Sequence, residues 1–325
     1  MTFLTTYDIY IETEISLLQI IIEWAEENMN RKEYEKKDDY RKSVKIIKGF
    51  IREMLDGDIE KMRDLDFADL TKYISNSIDP DMILFVQAVY IVLWGDLYDL
   101  TFDKMGPWSS DGKHPFRGDT MNSFKSVFGE EGKDTEFAYR AKFFGADKNE
   151  VLWKKIREFH KVYHKLGNFI VLPNRAAYKK GINGARGCYY DNEKIEAMRD
   201  YFDWFLVAVS DYQNKLKCGD TDFTKFETYL NENPEYDPSF LEIKDWEERF
   251  FLQPYFEKGK PVWLFETPSE RRTLITAAPE NRRGKKYYQD EEYLKLMEDY
   301  LDKSKAVIEF RTEKMIDCLQ RKLME

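Results

Sequence analysis

All three histidines, His114, His160 and His164, fall within residues 114–187, beside two dense polar stretches, HPFRGDTMNSF at 114–124 and YHKLGNFIVLPN at 163–174. Their side chains could handle an anion. Arg117 and Arg186 could each grip a phosphate or carboxylate through two parallel hydrogen bonds, because the planar guanidinium matches both groups. Asp119 could act as a general base or hold a divalent metal, and His164 could share the proton or metal work. Thr120, Asn122, Asn168, Asn174 and Asn183 could orient ligand hydroxyls and amides, since asparagine offers donors and an acceptor on one side chain. A structural reading competes with this one, because Asn and Asp also tie long loops down by bonding neighbouring backbone groups.

Charge points to the same stretch. Residues 114–190 hold 15 Lys and Arg against 8 Asp and Glu, a local +7, so the rest of the chain carries −17 within the overall −10. That overall charge repels polyanions and argues against a general DNA coat or a membrane-surface protein. A local basic groove remains compatible with a nucleotide or a nucleic-acid end. His160 and His164 stand four apart on a predicted helix, a spacing that can hold a metal. The residues between them, Lys161-Val162-Tyr163, lack the glutamate of an HExxH motif and would set a lysine beside the ion, so no metal ligand is assigned.

The elements that must position these residues are mostly helices. Apolar residues recur at helical spacing over Tyr7 to Asn28, Arg31 to Leu55, Glu150 to Lys165 and Asn192 to Lys217, with further helices expected at 66–74, 221–231, 238–252 and 290–323. Met82 to Trp94 is apolar nearly all round and reads as a central buried helix opened by Asp79-Pro80. Residues 101–120 read as an irregular loop, Asn168 to Leu172 as a short strand, Arg175 to Gly187 as a second long loop, and Pro261 to Phe265 as a strand. The sum is one mainly α-helical domain over residues 1–325 with a minor β element. Aromatic residues make up 16% of the chain, so rings should dominate its packing. Cys188, Cys218 and Cys318 are odd in number and far apart, which suggests reduced thiols. The start MTFLTTYDIYIETE does not read as a signal peptide, and the longest apolar run is too short to span a bilayer, so a cytoplasmic protein is expected.

Four blocks in order, FRGDTMNSF (116–124), HKLGNFIVLPN (164–174), INGARG (182–187) and DYFDWFL (200–206), resemble a bacterial protein family of unknown function. The resemblance implies a bacterial or phage-associated source and carries no activity. His114 with Leu166-Gly167-Asn168-Phe169, Asn174 and Asn183 is also faintly similar to HNH-type nuclease domains, in which a histidine activates water and a metal steadies the leaving oxygen. His114-Pro115-Phe116-Arg117 resembles the start of the Fic-type motif, but Gly118 to Asn122 do not continue it as an anion-cradling turn. Three readings follow. The first is an enzyme that binds or hydrolyses a phosphate-bearing ligand, with a divalent metal as its candidate cofactor. The second is a non-catalytic subunit of a defence or toxin system that docks a protein partner. The third is a small-molecule sensor.

Overall fold

The computed structural model describes residues 37–71, 80, 83–98, 100, 105, 116–122, 150–173, 202–214, 242–265 and 291–324. The chain divides into two units, Met1–Phe50 and Ile51–Glu325. In the first, the described residues form the greater part of helix α1, Lys37–Met54. That helix stops at Asp56-Gly57, where the Gly57 N–H donates to the Arg52 carbonyl at 2.7 Å. The expected helices at 7–28 and 221–231 lie outside the described residues.

The second unit is built on two helices of opposite character. Helix α3, Leu84–Tyr98, follows the short α2, Phe67–Thr71. Its residues Phe85 to Gly95 are all buried, as expected of a segment with no polar face. Helix α7, Glu291–Met324, is amphipathic and buries Val307, Ile308, Met315, Ile316 and Leu319 along one face. Each such side chain contributes about 1.5–3 kcal/mol by leaving water. Helix α7 packs against α3, against α4 (Glu150–His160), and against two 3-10 turns, Ile59–Arg63 and Leu166–Asn168. Near its C-terminus Lys322 donates to the Leu93 carbonyl at 2.9 Å, and Trp94 Nε1 donates to the Arg249 carbonyl at 2.9 Å, fastening α3 to α7 and to α6, Ile243–Arg249. Among the described residues no helix is long and apolar enough to cross a membrane.

Two small antiparallel sheets complete the described architecture. Strand β1, Phe116–Thr120, pairs with β2, Phe169–Pro173, in the register Gly118 opposite Val171 and Thr120 opposite Phe169. Phe116–Thr120 therefore corrects the loop expected through residue 120. Arg, Gly and Asp in mid-strand show no apolar alternation, and a partner far along the chain imposes the extended backbone. Strands β3, Phe256–Glu257, and β4, Lys260–Pro261, form a hairpin. Its turn residues Lys258 and Gly259 have φ of 51° and 74°, the left-handed pair that a two-residue hairpin requires. The strand expected over Pro261 to Phe265 is reduced to Lys260–Pro261, with one further bond beyond it from the Val262 N–H to the Tyr255 carbonyl at 2.9 Å. Helix α5, Phe202–Gln213, buries Phe202, Phe205, Leu206 and Val209, four residues of the stripe read from the sequence.

Candidate functional site

Where β1 ends, the chain is held by a closed set of amide bonds. The Met121 N–H donates to the Asn168 carbonyl at 2.7 Å, extending the β1–β2 ladder by one bond. Asn168 Oδ1 accepts the Asn122 N–H at 2.9 Å and Asn122 Nδ2 at 3.4 Å, while Asn168 Nδ2 donates to the carbonyls of Asn122 at 2.9 Å and Tyr163 at 2.7 Å. That uses both donors and both acceptor positions of Asn168. Asn122 Oδ1 in turn accepts the Tyr255 hydroxyl at 3.1 Å, and both asparagines are fully buried. These two residues, read from the sequence as ligand contacts, therefore act in this geometry as a lock between β1, the 166–168 turn and Tyr255.

The lock makes a testable demand on residue 168. Asn168→Asp would face the carbonyl oxygens of Asn122 and Tyr163 with a group that cannot donate when ionised. The folded-state pKa of that acid would rise, so its penalty is absent below the unfolded value of about 3.9 and grows as pH climbs past it. The expected loss is about 3 kcal/mol at neutral pH and smaller near pH 4. Urea denaturation at the two pH values checks it, and equal losses at both would contradict the account.

Other predicted site residues separate into two environments. Positions 117 and 119 fall on one face of β1 and position 120 on the other, because side chains alternate along a strand. Thr120, half-buried, has its hydroxyl 3.4 Å from the Tyr163 hydroxyl, and its register partner Phe169 lies 6.4 Å ring to ring from His164. Asp119 is half-buried, and its Oδ1 accepts the Thr120 N–H at 2.8 Å. The pleat thus does not aim Asp119 and His164 at a common point.

His164 belongs to the start of α2. Its Nδ1 sits 3.6 Å from Asp66 Oδ1, its carbonyl accepts the Phe67 N–H at 3.1 Å, and Asp66 Oδ1 also accepts the Ala68 N–H at 2.8 Å. Its ring is 7% exposed and packs edge-on to Tyr163 at 4.6 Å. His160 ends α4 and His164 follows in a turn, so the helical spacing that would aim two imidazoles at one ion is not realised. The chain leaves the helix there because Tyr163 and His164 are drawn into the core. His114, Asn174, Asn183 and Arg186 lie outside the described residues. Among the described residues no cluster of three or more His, Cys, Asp or Glu could hold a metal.

Two residues that sequence reasoning missed set the backbone of this region. Arg311, fully buried on α7, donates from Nε to the Phe250 carbonyl at 3.1 Å, from Nη1 to the Gly167 carbonyl, and from Nη2 to the Phe169 carbonyl at 3.0 Å. Burial pushes its pKa down to about 9, so the group is still a cation at neutral pH, held by three carbonyl dipoles with the phenols of Tyr255 and Tyr90 nearby. Gly167 lies directly on α7, with its N–H donating to Thr312 Oγ1 at 3.1 Å. A signal existed: Arg311 and Thr312 interrupt the apolar stripe of α7 one turn after Val307 and Ile308.

Three of the four sequence blocks meet in this arrangement. FRGDTMNSF and HKLGNFIVLPN pair as β1 and β2, and Phe202 of DYFDWFL lies 6.0 Å ring to ring from Tyr255, the partner of Asn122. Asp203 in the same block is buried and accepts the Trp204 N–H at 2.9 Å and the Phe265 N–H at 3.0 Å. INGARG lies outside the described residues. Trp204 packs against Trp263 at 4.6 Å. Comparison with protein-family models, with curated proteins and with solved structures finds no match to this chain.

Proposed function

We propose that this chain binds a phosphate-bearing ligand, a nucleotide or a nucleic-acid end, along the Arg117–Asp119 side of β1. The observation that carries the reading is the pinning of that strand. Asp119 remains half-buried rather than enclosed, while the backbone around it is held by β2, by the Asn122–Asn168 lock and, through the Gly167 and Phe169 carbonyls, by Arg311. Groups on a backbone so fixed are positioned before the ligand arrives, which lowers the ordering cost of binding. The +7 charge of residues 114–190 supplies the attraction for an anion.

In this reading Arg117 and Arg186 clamp the phosphate, Asn174 and Asn183 orient the ligand, and Asp119 takes a proton or a divalent metal if the phosphoester is hydrolysed. His164 supports the strand from its other side through Tyr163 and Phe169. Thermal-shift titration with nucleotides and short oligonucleotides, with and without magnesium, tests it. A ligand that raises the melting temperature, and whose affinity falls at least about tenfold in R117A, is the expected result. Ligand affinity unchanged in folded R117A and D119A would refute it. The internal saturation of Asn122 and Asn168 favours a second reading, a non-catalytic subunit that docks a protein partner, in which no nucleotide shifts the melting temperature.

A further inference from the structure

We draw no further inference here: the strongest candidate, the half-exposed apolar patch at residues 261–264 beside the β3–β4 hairpin, where Trp263 lies on the buried Trp204, carries nothing because nothing in the structure shows what covers it.

Discussion

Gly167→Ala is expected to cost about 3–5 kcal/mol of folding stability, near the upper end for a single methyl group. A Cβ at residue 167 would stand inside the contact distance of the Ile308 carbonyl oxygen, 2.5 Å from Thr312 Oγ1 and 2.6 Å from the Thr312 nitrogen. Two of those three atoms are backbone of α7, so no rotamer change relieves the clash. Either the 166–168 turn or the helix must move, and the turn carries Asn168, whose four hydrogen bonds close the lock. Urea denaturation followed by circular dichroism measures the loss, with a midpoint shift to lower denaturant and little change in slope. Adding Thr312→Ala removes only the hydroxyl contact, so rescue should be slight. Full rescue, or a single-variant loss below about 0.5 kcal/mol, would contradict a backbone clash.

Arg311→Met should lose about 2–4 kcal/mol, although methionine fills a similar volume and removes a buried cation. The loss comes from the carbonyls of Phe250, Gly167 and Phe169, which are left facing an apolar side chain in the core. Arg311→Lys should recover only part of it, because one ammonium cannot reach three carbonyls arranged for the guanidinium fork. If R311M matched the parent in denaturation midpoint, the three bonds would be incidental to the fold. Any ligand affinity at β1 should fall with R311M as well, since Arg311 touches the turn before β2 and the first residue of β2 itself. A binding loss in R311K with stability largely kept would identify it as a positioning residue.

Much of the scaffold was legible along the chain because it follows local periodicity. The run 82–94, apolar but for Gln87, read as a central buried helix, and Phe85 to Trp94 are buried in α3. A helix was expected at 290–323, where α7 runs, and Asn168 to Leu172 read as a short strand, four of whose residues lie in β2. Strand β1 was not legible, since Arg117, Gly118 and Asp119 carry no alternating pattern and take extended form from the register with β2. The helix expected through Lys165 differs for the same reason in reverse: the apolar spacing continues, but α4 ends at His160 and Tyr163 and His164 are buried beside Phe169 and Asp66.

The sequence by itself determined the helical class, the buried centre and the concentration of polar residues in 114–187, because composition and periodicity are properties of neighbours. Tertiary structure alone decided what those polar residues do. Whether Asn122 and Asn168 face a ligand or each other, and whether Arg311 is a solvated charge or a clamp on three carbonyls, depends on contacts between segments more than 40 residues apart. Satisfying buried polar groups is a condition on the assembled chain, so single-chain periodicity carries no record of it.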